Sequence, residues 1–277
     1  MPTDASAPAT ARSLQVPGAR LYYEVRGEGP LIVLVGAPMD AAAFAPLAEL
    51  LAVDHTVLTT DPRGINRSRL DDPEEDSTPQ LRADDLSRLI AQVGAGPATV
   101  LGSSGGAVSA LALVQDHPEQ VHTVVAHEPP VIELLEDREQ LRTGTEELVA
   151  TYLAGDVTGA WRKFFAQAGI TMPEPLIEEM FGGERDPRQV ADERRWFAHE
   201  MRLSTYWQPD VSALRAAATR VVVGVGDDSA GELCDRTSRA LARSLGAEPT
   251  SFPGGHTGFV ETPDAFADRL RSVVGDG

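Results

Sequence analysis

The chain holds a single cysteine, Cys234, in 277 residues. That excludes an intrachain disulfide and a zinc site built from cysteine thiolates. Lysine is almost missing too: Lys163 is the only one, so the basic residues are nearly all arginine. With the richness in Ala, Gly and Asp, this reads as the codon bias of a GC-rich genome rather than a functional signature. Positive charge is scarce overall, 24 basic residues against 42 acidic ones and a formal net charge of −18. So acidic a chain is repelled by nucleic acid and by anionic membrane surfaces, and neither is expected as a partner. No apolar run approaches the roughly 18 residues that a spanning helix needs. The opening MPTDASAPATARS lacks both a basic start and an apolar core, so no signal peptide is expected there. The expectation is a soluble cytoplasmic globular protein acting on a small molecule, with a homo-oligomer left open. The length suits one large α/β domain or two small ones.

Residues 1–12 are small, polar and proline-bearing, and read as a disordered tail. From there strands and helices alternate. Arg20–Arg26 reads as an outer strand, and Leu31–Val35 as a strand buried on both faces, because it is apolar without alternation. Further strands are expected at His55–Thr60, Ala98–Leu101, Val121–Ala126, Arg220–Val225 and Thr250–Phe252. Helical spacing marks Ala41–Leu51, Leu81–Val93, Ala107–Val114, Glu232–Leu245 and Asp264–Val274. The alternation breaks between Pro129 and Pro209, where only helical stretches occur, at Ile132–Leu153, Ala160–Ala168 and Asp192–Leu203. All three tryptophans, Trp161, Trp196 and Trp207, lie in that stretch. Strands alternating with helices imply a mostly parallel sheet with right-handed crossovers, and the block of helices between two strands is an insert. The expected division is a core over 13–128 and 210–277 with a helical insert over 129–209.

Ligands of such sheets bind outside the carboxyl ends of the strands, so the turns there carry the functional signal. Gly102-Ser103-Ser104-Gly105-Gly106 fits G-x-S-x-G between a strand and a helix. A turn that tight strains Ser104 and projects its hydroxyl from the sheet, while Gly102 and Gly106 let the backbones pass. The Gly105 N–H then points where an oxyanion would form. Ser103 is out of register, so its hydroxyl should lie elsewhere. The plain alternative is a glycine-rich turn without chemistry.

Gly254-Gly255-His256-Thr257-Gly258 gives a histidine a glycine-flanked loop, suited to a mobile general base of near-neutral pKa. His55, His117, His122 and His199 stand at strand starts, at a helix end or in the insert, and are weaker candidates. After Arg220–Val225 come Asp227 and Asp228, either of which could orient the histidine. The chain order Ser104, then one of these aspartates, then His256 is a recognised triad order. A solvated acidic turn is the bland reading. Ala37, after Leu31–Val35, could supply a second oxyanion amide; Pro38 has no N–H to give. Glu128, at the start of the insert, either faces the site or complements a helix dipole.

These residues together resemble the α/β-hydrolase fold superfamily over about residues 14–275. Gly36-Ala37-Pro38 resembles its oxyanion turn, Asp61-Pro62-Arg63-Gly64-Ile65-Asn66-Arg67-Ser68 its D-x-R-G-x-G-x-S segment, Ser104 its nucleophile elbow, and Gly255-His256 its final G-H turn. The resemblance implies an eight-stranded-type, mostly parallel sheet flanked by helices, with an all-helical lid after the sixth strand. It implies a Ser104–acid–His256 triad with Ala37 and Gly105 amides as the oxyanion hole. The acid is taken as Asp228, with Asp227 and then Glu128 as alternatives. Val35 stands where the family usually has histidine, and Asn66 where it has glycine, a mild change because asparagine tolerates left-handed backbone. A serine at the elbow departs from relatives that use a nucleophilic aspartate.

The expected activity is a serine hydrolase acting on an ester, thioester or lactone of a small, largely apolar molecule, without metal or organic cofactor. Phe44, Trp161, Phe164, Phe165, Trp196, Phe197, Tyr206 and Trp207 are candidates for the pocket wall. A perhydrolase, or a hydrolase-like cyclase or lyase with the same triad, is the alternative reaction. A non-catalytic ligand-binding protein on the same fold is the alternative class.

Overall fold

The computed structural model describes residues 9–275. Its sheet has nine strands: β1 (Thr10–Val16), β2 (Ala19–Arg26), β3 (Leu31–Val35), β4 (Thr56–Thr60), β5 (Arg69–Leu70), β6 (Ala98–Ser103), β7 (Val121–His127), β8 (Arg220–Gly226) and β9 (Thr250–Phe252). The spatial order is β1-β2-β4-β3-β6-β7-β8-β9, with the two-residue β5 beside β2. β1, β2 and β5 are antiparallel additions, and every pairing from β4 through β9 is parallel. Of the tail expected over 1–12, residues 1–8 lie outside the described residues. From Thr10 the chain is already strand, Thr10 pairing with Val25. The largely exposed β1 is held by backbone hydrogen bonds to β2, which leave no hydrophobic pattern to read.

Three helices precede the insert: α1 (Ala45–Leu51), α2 (Pro79–Val93) and α3 (Gly105–Asp116). The insert holds α4 (Arg138–Leu153), α5 (Val157–Ala168), α6 (Glu174–Phe181), α7 (Pro187–His199), α8 (Met201–Thr205) and α9 (Val211–Ala216). After β8 come α10 (Leu233–Leu245), α11 (Gly258–Glu261) and α12 (Pro263–Gly275). Helices thus continue to Ala216, past the expected insert boundary at 209, and α6 falls in a stretch where no helix was expected.

β3 shows why its sequence is apolar throughout. Leu31, Val33 and Val35 join the core layer under α2, α3 and α10. Ile32 and Leu34 join the opposite layer, under α1 and α12, with Phe44, Phe259 and Phe266. The insert has a small core of its own around Leu148, Val149, Tyr152, Phe197 and Met201, where the Tyr152 and Phe197 rings stack at 4.1 Å. No helix among the described residues is long and apolar enough to cross a membrane.

Candidate active site

Ser104 stands alone between the end of β6 and the start of α3, with φ 56° and ψ −127°. This is left-handed backbone for a residue with a side chain, and such strain persists only where the surroundings impose it. They do so here: a Cβ on Gly106 would lie 2.2 Å from the Val35 carbonyl oxygen, and one on Gly102 would lie 2.4 Å from that of Gly106. Only glycines let β3, β6 and α3 approach so closely. Gly105 is as tight against Ala37, whose carbonyl oxygen would be 2.6 Å from an added Cβ. The two expected oxyanion residues therefore touch each other, and both border the cavity that Ser104 faces. Ser103 is fully buried, its hydroxyl 3.3 Å from His127 Nδ1 and away from that cavity.

Three non-glycine residues among those described have positive φ: Asn66 at 49°, Ser104 at 56° and Glu128 at 52°. Asn66 fits its expectation of tolerating left-handed backbone. Glu128, the residue after β7, is the informative one. Its carboxylate is fully buried, Oε1 accepts from the Gly226 N–H at 2.8 Å, and Oε2 lies 2.6 Å from His256 Nδ1. Burial alone would raise its pKa. The hydrogen bond and charge of His256, together with the Gly226 amide, outweigh that and bring Glu128 to about 2.

The carboxylate on His256 is therefore Glu128, and the expected Asp228 is not. Asp227 and Asp228 are both exposed, their amides tied to the Phe252 and Gly254 carbonyls, and neither side chain reaches the imidazole. Asp228 only borders the cavity. The turn after β8 leaves its acids in solvent, whereas the positive φ of Glu128 turns a longer side chain along the carboxyl edge of the sheet, across β8, to His256.

With Nδ1 occupied, Nε2 is the His256 nitrogen left for the cavity that it shares with Ser104. Burial opposes the imidazolium, yet the neighbouring Cys234 sulfur and the Glu128 carboxylate push its pKa well above the ordinary histidine value. His127, immediately before Glu128, behaves in the opposite way. It is fully buried against Phe252 and Phe266, and burial holds it down to about 4 despite the nearby Glu128. The other histidines pair elsewhere: His55 with Asp54, His117 with Asp84, His122 with Thr99 and His199 with Asp76.

The cavity over Ser104 and His256 measures about 590 Å³ and is walled mostly by apolar side chains of the insert. Of the eight aromatic candidates, Phe164, Phe165 and Trp196 line it. Phe44 stacks on Phe259 in the main core, Trp207 joins the layer under α3, and Trp161 and Phe197 pack inside the insert. Tyr206 turns outward to Glu146. Met172, Met180, Met201 and Cys234 complete the wall without any motif in the sequence to announce them. Among the described residues no group of three or more His, Cys, Asp or Glu side chains could hold a metal ion.

Comparison with known proteins bears on this geometry. The chain is 34% identical to the uncharacterized hydrolase YraK of Bacillus subtilis over 267 residues, 95% of each protein. Over 117 residues, 41% of this chain and 44% of the relative, it is 35% identical to a zearalenone hydrolase of Cladophialophora bantiana. A Pseudomonas aeruginosa structure provisionally named an epoxide hydrolase superposes with a TM-score of 0.70 over 99% of this chain and 98% of its own; at 23% identity this shows a shared fold alone. Residues 31–269 match the sequence profile of the alpha/beta hydrolase family. The profile match over most of the chain and the relative covered over 95% of its length show that the chain belongs to the alpha/beta hydrolase family.

Proposed function

We propose that the protein is a serine hydrolase in which Ser104, His256 and Glu128 form the catalytic triad. The observation that carries this reading is the 2.6 Å contact between His256 Nδ1 and the buried Glu128 carboxylate, at a cavity shared with the strained Ser104. Glu128 fixes the tautomer that leaves Nε2 free to accept the Ser104 proton, and it stabilises the imidazolium that results. Ser104 Oγ then attacks a carbonyl carbon while the Ala37 and Gly105 N–H groups hold the oxyanion. His256 returns the proton to the leaving oxygen or sulfur. Water, deprotonated by His256, next attacks the acyl-enzyme and frees the acid and Ser104.

The substrate class follows from the walls. The cavity is lined by no lysine or arginine, and its polar rim carries the carboxylates of Asp228, Glu232 and Glu261. Burial and the neighbouring Glu128 push the Glu232 carboxyl up, a sign that further negative charge is unwelcome there. The reading is an ester, thioester or lactone of a neutral, largely apolar molecule, with the helical insert acting as the lid over it. Serine at the elbow argues against epoxide opening, because its attack would give an ether that water cannot release by this route. Intact-mass labelling with a fluorophosphonate tests the proposal. One adduct on the wild type and none on Ser104→Ala is expected, followed by turnover of neutral esters or lactones. A folded wild type that takes up no label would overturn it.

A further inference from the structure

Arg82, on α2, is almost completely buried, yet it forms no ion pair among the described residues. A buried guanidinium without a bonded carboxylate costs free energy unless hydrogen bonds satisfy it. Hydroxyl and carbonyl oxygens from three segments do so. Nε donates to Ser109 Oγ at 2.7 Å, Nη1 to Ser77 O at 2.5 Å and Oγ at 3.0 Å, and Nη2 to Ser204 Oγ at 2.8 Å. Ser109 donates onward to the Gly105 carbonyl at 3.0 Å, on the residue whose N–H is the oxyanion donor of the proposed reaction. Ser204 belongs to α8 and lines the cavity. Ser77 is itself tied to the insert, its N–H donating to His199 O at 2.9 Å. The nearby Glu200 carboxyl is buried with neither oxygen hydrogen-bonded; burial raises its pKa while the charges of Arg82 and Arg195 oppose that rise, and it takes none of the guanidinium's donors.

We propose that Arg82 is a positioning residue that fixes the Gly105 oxyanion donor through Ser109 and ties that donor to the cavity wall of the insert through Ser204. The proposal rests on the reading of Ser104 as nucleophile. A purely structural arginine would stabilise the fold without affecting the chemical step. A relay to Gly105 acts on acylation, where displacing a donor by about 1 Å can cost on the order of 100-fold.

The test compares the rate at which a fluorophosphonate phosphonylates Ser104 with loss of fluoride, taken as the readout of nucleophilic attack in the acylation step, and the kcat and KM of wild type, Arg82→Met, Ser109→Ala and the double variant, each at a temperature where its unfolding curve shows it folded. Arg82→Met and Ser109→Ala should each slow acylation and kcat by about 10- to 100-fold with KM within about threefold. The double variant should be no slower than the slower single one, because both cut the same relay. Ser77→Ala, which removes an Arg82 contact outside the relay, should lower the melting temperature and leave acylation unchanged. Wild-type acylation rates in folded Arg82→Met and Ser109→Ala would overturn the proposal, and so would losses that multiply in the double variant. Should Arg82→Met not fold, an unchanged rate in Ser109→Ala alone overturns it. A wild type that takes no label refutes the nucleophile reading instead. The amide chemical shift of Gly106, whose N–H shares a peptide with the Gly105 carbonyl, then decides the relay, since it must move in Ser109→Ala if Ser109 holds that peptide.

Discussion

Two neighbouring parallel strands, β7 and β8, each end in an acid at the same edge of the sheet, and the two acids have different fates. Glu128 leaves β7 with left-handed backbone, is wholly buried, and accepts hydrogen bonds from Gly226 N–H and His256. Asp228 leaves β8 through a turn that keeps its side chain in water at the cavity rim. His127 pairs opposite Gly224, so Glu128 leaves the sheet level with Val225, and Asp228 lies three residues further along. The difference comes from that offset together with reach and desolvation: the longer side chain crosses over β8 to the imidazole, and burial there makes its charge act on one partner. A solvated carboxylate of the same sign, at the rim of the same cavity, holds nothing in place.

The largest expected break in this comparison is in activity. Glu128→Gln should lower kcat by about 10⁴-fold, the scale for removing a triad acid's charge, while Asp228→Asn stays within about threefold. Steady-state kinetics on the best ester of a panel reads both. Shortening the acid sharpens the argument about reach: Glu128→Asp keeps the charge and loses a methylene, and should cost about 10- to 100-fold in kcat. The pH profile separates the acids next. In the proposed mechanism His256 must be neutral to act as base, and its pKa is raised, so activity should fall as pH drops through a value above the ordinary 6.5. Glu128, at about 2, stays ionised throughout that range and adds no second inflection. Glu128→Gln should shift the acid limb of the profile to lower pH, and Asp228→Asn should leave it in place. The smallest effect is on stability: thermal unfolding of Asp228→Asn should lie within about 0.5 kcal/mol of wild type, as for a solvated surface residue.

What the sequence makes legible follows how local each cause is. Ser104 and His256 are readable because the elbow and the glycine-flanked loop are written in five or so consecutive residues. Their relation to Ala37 and Gly105 follows from strand ends lying at one edge. The acid is not readable in that way, since Glu128 and Asp228 follow strands of the same sheet, and strand register, backbone torsion, reach and burial separate them. His127-Glu128-Pro129-Pro130 does carry a hint: a buried strand ending in a charged residue that a proline holds out of helical backbone. In the insert, adjacent Trp196 and Phe197 look alike in sequence, yet helix α7 turns one to the cavity and the other to the insert's own core. β1 and α6 are unreadable because one is solvent-exposed and backbone-held, and the other offers a single buried residue, Ile177.

The most direct test of the account is the rate of Ser104 phosphonylation by a fluorophosphonate in wild type, Glu128→Gln and Asp228→Asn, followed by intact mass. The account predicts equal labelling of wild type and Asp228→Asn and a rate lower by orders of magnitude in Glu128→Gln. Rapid labelling of Glu128→Gln together with loss of labelling in Asp228→Asn would contradict it.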